Sequence, residues 1–510
     1  MLATTTLGNI ARQHVAERGG KIALRASSGG SLTFEELERH AVQVANGLIA
    51  AGVIPGDRVA YLGKNSLHYF EALIGAAKTG AVMVPINWRL AVPEVADLIA
   101  DCRPKWLLAG PGFEAIAAQI APSIACNDDD SAQGFAAWRD AQSAADISRD
   151  AKITDAALQL YTSGTTGRPK GAVLTHQNLF GLRAHMTEQT LPAWYAWSSD
   201  DVSLIAMPAA HISGTGWGIW SLMHGASGVV TAEFDPHTVF ELMVEHRINK
   251  IMMVPTAIQI AIRHPRARST DFSFLRYICY GGAPMPAALL EEAMQIFGCG
   301  FVQMYGMTET SGTIVALPPD DHDPAHGARL NSVGLPLPGV ELKICDADGQ
   351  PCASGATGEI LTRSIANMSG YFERPGETAG TIDTQGWLRT GDAGYLDEHG
   401  YLFLRDRVKD MIITGGENVY PAEVENALRS HPGVLDVAVI GVADAKWGEI
   451  VTAIVVPHSD ADRQENSIIE FARTRIARYK CPKRVEFVAA LPRNASGKIL
   501  RRELRDKFRT

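Results

Sequence analysis

The sequence predicts an α/β protein, because helical patterns alternate with short apolar runs and the apolar runs end in Gly-, Pro- or Ala-rich loops. Thr33 and Glu36 form a capping box, and the apolar residues that follow have helical spacing. Arg58–Leu62 and Val82–Pro85 are predicted as short buried strands, with a helix over Leu67–Lys78 between them. This alternation indicates parallel sheet covered by helices.

The same alternation of apolar runs and loops recurs further along the chain, and short β-type runs replace it from residue 339. Three more apolar runs precede loops, the position at which open α/β sheets collect ligands: Asp201–Met207, Lys250–Val254 and Leu275–Tyr280. Residues 339–404 consist of short β-type runs with many Gly and Asp turns. A chain of 510 residues is too long to fold around one hydrophobic core. We therefore predict a large N-terminal domain over residues 1–406 with a β-rich end, and a small, mobile α+β C-terminal domain over residues 407–510.

Composition restricts the class of protein. The net charge of −9 argues against a general nucleic-acid binder. The seven cysteines form no C-x-x-C pair, which favours reduced thiols in a cytoplasmic protein. No secretory leader and no apolar run of about 18 residues is present, so we expect no transmembrane segment. Peripheral membrane contact and a homodimer are left open.

The most informative segment is the run Tyr161–Gly171, which lies between two apolar stretches. Its glycines let backbone N–H groups approach an anion, and its hydroxyls and lysine add donors and charge. These are the requirements of a polyphosphate, and the residues we assign to it are Thr162, Ser163, Gly164, Thr165, Thr166, Gly167 and Lys170. The run does not align with the common nucleotide P-loop. It resembles the phosphate-binding signature of the adenylate-forming enzymes, which include acyl-CoA synthetases, adenylation domains and luciferases.

Further motifs follow in the order that this family shows. In Tyr305-Gly-Met-Thr-Glu309, the resemblance implies that Tyr305 packs near adenine, that Thr308 contacts the α-phosphate and that Glu309 helps to hold Mg²⁺. Oxygen ligands on a hard cation suit neutralisation of the leaving pyrophosphate. The resemblance also assigns neighbouring residues to the nucleotide site: Gly282, Ala283 and Gln303.

The remaining motifs lie toward the C-terminus. By resemblance, Asp392 accepts hydrogen bonds from both ribose hydroxyls and Arg407 lies on the ribose side. Lys409 matches the pivot between the domains, and Gly415 and Gly416 match the path of pantetheine. Lys498, in Asn-x-x-Gly-Lys, matches the catalytic lysine, whose ammonium brings the acyl carboxylate and the α-phosphate together.

The acyl pocket is assigned to the segment Met207–Trp220 and the run Ile251–Ile260. His211 matches a histidine that gates the carboxylate, although a structural histidine is the alternative. The other residues assigned to the pocket are Ser213, Gly214, Trp217, Thr256 and Gly281. These segments contain no evident acidic or basic anchor for a second charged end. We therefore expect an apolar acid, with fatty acyl ahead of aryl or arylpropenoyl substrates.

The predicted activity is ATP-dependent ligation of a carboxylic acid to coenzyme A through an acyl adenylate, with ATP, Mg²⁺ and CoA required. Both steps need charge neutralisation and alignment more than a protein nucleophile. Three alternatives are an acyl-AMP ligase that loads a carrier protein, a luciferase-like oxygenase and a non-catalytic protein of this fold. The last would need disabled motifs, whereas Glu309, Asp392, Arg407 and Lys498 are all present.

Overall fold

The structure is a computed structural model. It describes residues 5–121, 125–128, 131–147, 151–162, 169–184, 191–283, 285–323, 329–407, 410–414, 417–444, 446–460, 463–493 and 499–508.

The strands are, in chain order, β1 Ile22–Ala26, β2 Ser31–Thr33, β3 Arg58–Leu62, β4 Val82–Ile86, β5 Trp106–Ala109, β6 Ala125–Asn127, β7 Ala156–Thr162, β8 Lys170–Thr175, β9 Val202–Ile205, β10 Ser227–Val230, β11 Lys250–Met253, β12 Tyr277–Gly281, β13 Gly300–Met307, β14 Gly312–Leu317, β15 Leu335–Pro336, β16 Glu341–Cys345, β17 Gly358–Arg363, β18 Gly370–Tyr371, β19 Leu388–Leu396, β20 Leu402–Arg407, β21 Ile412–Thr414, β22 Glu417–Val419, β23 Val434–Asp444, β24 Gly448–Pro457 and β25 Arg484–Phe487.

The α-helices are α1 Arg12–Arg18, α2 Phe34–Ala50, α3 Leu67–Thr79, α4 Val92–Cys102, α5 Glu114–Ile120, α6 Phe135–Asp140, α7 His176–Ala184, α8 Ile212–Met223, α9 Pro236–Glu245, α10 Pro255–Ile262, α11 Ala287–Phe297, α12 Pro375–Thr381, α13 Pro421–Arg429, α14 Glu465–Arg473 and α15 Arg501–Lys507. Short 3₁₀ turns cover Leu7–Asn9, Thr308–Thr310 and Pro319–His322.

Two large sheets form the N-terminal part of the described chain. One has nine strands in the order β15-β14-β13-β12-β11-β9-β10-β1-β2, and the other has seven in the order β18-β8-β7-β4-β3-β5-β6. The strands from β13 to β1 and from β7 to β6 are parallel, while antiparallel strands lie at the edges. The predicted helix-covered parallel sheet is therefore confirmed.

Local signals place several of these elements where the sequence predicts them. The Thr33 side chain accepts from the Glu36 N–H, and the Glu36 carboxylate accepts from the Thr33 N–H, so the capping box starts α2. Strand β3 has the predicted bounds. Helix α3 ends at Gly80, which has a left-handed φ of 75°.

The described chain forms two compact units. One comprises residues 1–341 with 363–388, and the other comprises residues 342–362 with 389–510. The second unit holds the four-stranded sheet β16-β17-β19-β20 and a smaller sheet of β22-β21-β24-β23 with β25 beside β24. The large N-terminal sheets and smaller C-terminal domain agree with the predicted fold class, while the division at residue 406 stays a prediction. No described helix is both long and apolar enough to cross a membrane.

Candidate active site

The two strands that flank the phosphate loop are β7 and β8, which pair antiparallel with Thr162 opposite Lys170. The predicted loop residues between them lie outside the described residues: Ser163, Gly164, Thr165, Thr166 and Gly167. Because β7 and β8 are hydrogen-bonded neighbours, the first and last side chains of the motif start from the same sheet edge. The sheet therefore holds both ends of the loop in a defined place.

Glu309 lies against the start of the phosphate hairpin, which consists of β7 and β8. It is in the 3₁₀ turn after β13, and 5% of it is exposed. Its Oε1 accepts from Thr162 Oγ1 at 3.1 Å and from the Tyr371 hydroxyl at 2.9 Å. Burial, reinforced by the charge of Glu309, raises the pKa of the Tyr371 phenol, so Tyr371 remains a donor at neutral pH. Two distant segments thus orient one carboxylate.

The other end of the hairpin contacts α12. Lys170 Nζ forms an ion pair with the Glu377 carboxylate and lies 5.1 Å from the Tyr371 ring centroid. The lysine side chain is 12% exposed. The positive charge of the motif is therefore paired with a carboxylate.

Asp101, at the end of α4, forms hydrogen bonds with residues on both sides of this contact. Its Oδ2 accepts from the Tyr161 hydroxyl at 2.6 Å, and its Oδ1 accepts from Arg374 at 2.9 Å. The Phe372 N–H also donates to the Gly171 carbonyl at 2.8 Å. These contacts join the 371–377 segment to both strands that flank the phosphate loop.

The predicted nucleotide residues of the nine-stranded sheet lie close together. Gln303 and Tyr305 are on the same, partly exposed face of β13, and Thr308 follows that strand. Gly281 ends β12 opposite Met304 of β13, and a Cβ at Gly281 would overlap the Met304 carbonyl oxygen. Gly282 and Ala283 follow directly, so the ends of two neighbouring parallel strands present these residues.

The segment before His211 is held by Asn65, a residue that the sequence reasoning missed. Asn65 Nδ2 donates to the carbonyls of Met207 and Thr231, and Oδ1 accepts from the Ala209 N–H at 2.8 Å. His211 then occupies the N-cap of α8. Burial, with a smaller effect from the Arg89 charge, lowers the pKa of His211 to about 4. The imidazole is therefore neutral at pH 7.

The pocket prediction needs a correction at Gly214. The sequence suggests that this glycine leaves space for a channel, but an added Cβ would overlap the carbonyl oxygens of Met207 and Pro208. Gly214 is thus required for close approach of α8 to the preceding loop. Trp217 is 5% exposed, and Ser213 and Thr256 are half-buried in the first turns of α8 and α10. Ile260, at the end of the predicted second wall, is half-exposed.

The second unit carries the two residues that are predicted to bind the ribose. Asp392 on β19 lies directly opposite Arg407 on β20 in the antiparallel register. The predicted hinge and thiol-path residues Lys409, Gly415 and Gly416 lie outside the described residues, as does Lys498. Arg493 and Ile499 pair in an antiparallel β-bridge.

Comparison with known proteins decides the family. The family model described as AMP-binding enzyme matches residues 11–372, and the one described as AMP-binding enzyme C-terminal domain matches residues 423–498. The chain belongs to the AMP-binding enzyme family. It is of the adenylate-forming, acyl-CoA synthetase type and is an AMP-forming acid–thiol ligase.

Relatives of this AMP-binding enzyme cover nearly the whole chain. It is 42% identical to the fatty acid–[acyl-carrier-protein] ligase ScoC of Streptomyces coeruleorubidus, over 94% of this chain and 92% of that protein. It is 41% identical to a feruloyl-CoA synthase of an Amycolatopsis species, over 94% of each. The ATP-bound structure of MatB from Rhodopseudomonas palustris has a TM-score of 0.89 and 32% identity, over 99% of each chain.

The oxygen donors of this AMP-binding enzyme fit magnesium. Mg²⁺ is usually held by one or two carboxylates together with substrate phosphates and water. Glu309 supplies a carboxylate with the Thr162 hydroxyl beside it. Among the described residues no cluster of three or more His, Cys, Asp or Glu could hold a metal by itself. This donor set agrees with a Mg²⁺ ion that needs the phosphates of ATP as further ligands.

Proposed function

We propose that this enzyme joins a mainly apolar, medium- to long-chain fatty acid to coenzyme A, with ATP converted to AMP and diphosphate through an acyl adenylate. The observation that carries the proposal is the arrangement at the ends of the phosphate hairpin. Glu309 is held by Thr162 at one end, and Lys170 is buried at the other. A polyphosphate between them would meet a fixed cation on one side and a carboxylate suited to Mg²⁺ on the other.

In the first half-reaction, a carboxylate oxygen of the acid attacks the α-phosphorus of ATP and diphosphate leaves. Lys170 neutralises phosphate charge after it exchanges Glu377 for the nucleotide. Glu309 and the phosphates would hold magnesium, which would supply the remaining charge neutralisation when bound. Neutral His211 can limit the position of the acid carboxylate without forming an ion pair with it. Lys498 brings the two anions together. Asp392 and Arg407 hold the ribose.

In the second half-reaction, the thiol of CoA attacks the acyl carbon and AMP leaves. The resemblance to the family supports a turn of the C-terminal domain about Lys409 and a thiol path along Gly415 and Gly416. All seven cysteines are thiols, which supports a reducing, cytoplasmic location.

Two alternatives have specific support. The indole rings of Trp217 and Trp220, with centroids 6.3 Å apart, suit an aryl or arylpropenoyl acid, and one relative is a feruloyl-CoA synthase. Another relative is named as a ligase of fatty acids to acyl-carrier protein, which supports a carrier protein as acceptor.

The deciding experiment measures AMP formation from a panel of acids that contains octanoate, palmitate, cinnamate and ferulate. Each acid is tested with CoA and with a pantetheinylated carrier protein. We expect the highest kcat/KM for a fatty acid with CoA. A higher kcat/KM for ferulate would establish the aryl alternative, and turnover with the carrier alone would establish the loading enzyme.

A further inference from the structure

Arg183, near the end of α7, is a buried arginine in an aromatic environment. It is 4% exposed. Its guanidinium carbon lies 4.1 Å from the Tyr195 ring centroid and 4.4 Å from the Trp220 ring centroid. Nη1 donates to the Tyr195 carbonyl at 3.4 Å, and Nε is buried without a hydrogen-bond partner. The rings orient this cation but leave donor capacity unused.

Other buried cations of this unit have carboxylate partners, and Arg183 differs from them. Lys250 pairs with Asp201 at 2.8 Å, and Arg139 pairs with Glu71. No Asp or Glu of the described residues pairs with Arg183. An unpaired charge in a buried site costs several kcal/mol, so its retention points to an anion or acceptor that is present when the enzyme acts.

Two more buried donors lie on α8, the helix that carries Trp220. Trp217 Nε1 and Ser221 Oγ have no hydrogen-bond partner in the described structure. They are four residues apart on α8, and Trp220 between them contacts Arg183, so helical periodicity puts all three side chains on one face of the helix. Each buried unsatisfied donor is costly, so Trp217 and Ser221, like Arg183, favour a bound oxygen acceptor.

These donors lie along the helix that is predicted to line the acid pocket. Helix α8 carries His211 at its start, and Trp220 is nine residues further along, about 13 Å at the rise of an α-helix. Arg183 is also close enough to influence Cys279 of β12, two residues before Gly281. If His211 marks the carboxylate end of the predicted pocket, Arg183 and Trp220 lie toward its distal end.

We propose that Arg183, Trp217 and Ser221 form an oxygen-binding subsite that selects acids with a second carboxylate at the distal end, and with lower preference a distal hydroxyl. This rests on the proposed function and specifies its acid: an apolar chain with an oxygen-bearing far end. A buried site built to bind an oxygen discriminates strongly against an analogue that lacks it, because its donors are then left unpaired.

The test compares kcat/KM for decanoate, 10-hydroxydecanoate and decanedioate, measured as CoA-dependent AMP formation by the full-length enzyme. Arg183→Met removes the charge at similar length, and Arg183→Lys retains it. Arg268→Met, which changes an exposed arginine on another surface, is the matched control. We expect the wild type to prefer decanedioate over decanoate by about 10- to 100-fold, the range of a hydrogen bond to a charged group.

In Arg183→Met the preference should fall to within about twofold, Arg183→Lys should restore part of it, and Arg268→Met should leave it unchanged. Equal kcat/KM for the three acids in the wild type would overturn the subsite and leave the ligase function standing. This wild-type comparison decides the matter even if Arg183→Met does not fold. A loss in Arg183→Met that is equal for all three acids would also overturn it, because Arg183 would then be structural. No AMP formation with these acids or with the panel above would overturn the proposed function itself.

Discussion

At the scale of single residues, the charged side chains of the predicted site differ in whether a neighbouring group neutralises them. Glu309 is held by two neutral hydroxyls, which orient the carboxylate without neutralising it. Lys170 is neutralised by Glu377, an ion pair that the proposed binding of ATP would have to replace. His211 is kept uncharged by burial, which lowers its pKa to about 4. The residue that would bring the two reacting anions together is Lys498.

Replacement of Lys498 with Ala should block adenylation and spare thioesterification of supplied acyl-AMP. The reason is that its charge is needed where carboxylate meets α-phosphate, and loss of one preorganised contact of this kind costs roughly 10²–10³ in rate. ATP–pyrophosphate exchange and acyl transfer from synthetic acyl-AMP measure the two steps. Lys507→Ala, at an exposed lysine of α15, is the control. An equal loss in both steps would contradict the assignment.

At the scale of elements, α8 is fixed at its start by backbone contacts and side-chain hydrogen bonds. Thr215 Oγ1 donates to the Ala209 carbonyl at 2.6 Å and is 2.5 Å from the Tyr69 hydroxyl of α3. Gly214 permits the close approach to residues 207–208. These contacts hold α8 in place as a wall of the proposed pocket. Its glycines Gly214 and Gly216 differ in how closely they approach other atoms.

Gly214→Ala should lower the free energy of unfolding by about 1–3 kcal/mol, the usual cost of overpacking against immobile atoms. Gly216→Ala is the matched control, because its Cβ would lie 3.4 Å from Ile212 Cδ1, an ordinary contact. It should be neutral or stabilising by up to about 1 kcal/mol, the difference in helix propensity. Urea unfolding followed by circular dichroism measures both. Equal midpoints for the two variants would show that the loop yields at Gly214.

A second group of elements, α2, α3 and α6, is joined by a buried charge network around Glu71. Burial alone would raise the pKa of Glu71, but hydrogen bonds from His40 and His68 and the charge of Arg139 lower it to about 2. The same carboxylate raises the pKa of His68 against the opposing effect of burial. The network therefore requires an ionised glutamate.

This network predicts a specific acid sensitivity. A carboxylate with a depressed pKa stabilises the fold above its unfolded value near 4.5, and this contribution, about 3 kcal/mol, is lost as pH falls toward 2. His68, with a raised pKa, contributes below about 6.5 and loses that contribution as pH rises through its folded value. Glu71→Gln should therefore be less stable at pH 6 and lose less stability between pH 5 and 2. Urea unfolding across pH measures this, and parallel curves for wild type and variant would contradict it.

At the scale of the whole molecule, the residues predicted to bind the nucleotide belong to two compact units. Thr162, Lys170 and Glu309 belong to the first unit, and Asp392 belongs to the second. The family resemblance assigns the two half-reactions to different arrangements of the C-terminal domain. A pivot at Lys409 is the part of this proposal that a single substitution can test.

Lys409→Pro should impair thioester formation and spare ATP–pyrophosphate exchange. Proline restricts φ to about −65° and so limits rotation at the proposed pivot. The two assays used for Lys498→Ala measure the outcome, and the two variants should show opposite patterns. Unchanged thioester turnover in a folded Lys409→Pro variant would place the pivot elsewhere.

The sequence by itself determined the elements and the identity of the motif residues. The capping box at Thr33 and Glu36, the strand Arg58–Leu62 and the ends of the phosphate hairpin follow from local periodicity and turn chemistry, which act over a few residues. The order of the motifs predicted the family, because each motif is short and contiguous. These properties require no knowledge of which distant segments meet.

Only the tertiary structure decided which side chains share a site. Glu309 and Tyr371 are 62 residues apart, and Asp101 and Tyr161 are 60 apart, so no local pattern predicts their hydrogen bonds. Gly214 illustrates a further limit, since a glycine in sequence does not distinguish space for a ligand from close backbone approach. Arg183 lies outside the segments assigned to the pocket, and only the folded chain shows that it is buried with no carboxylate partner among the described residues. Long-range packing and desolvation are properties of the folded chain.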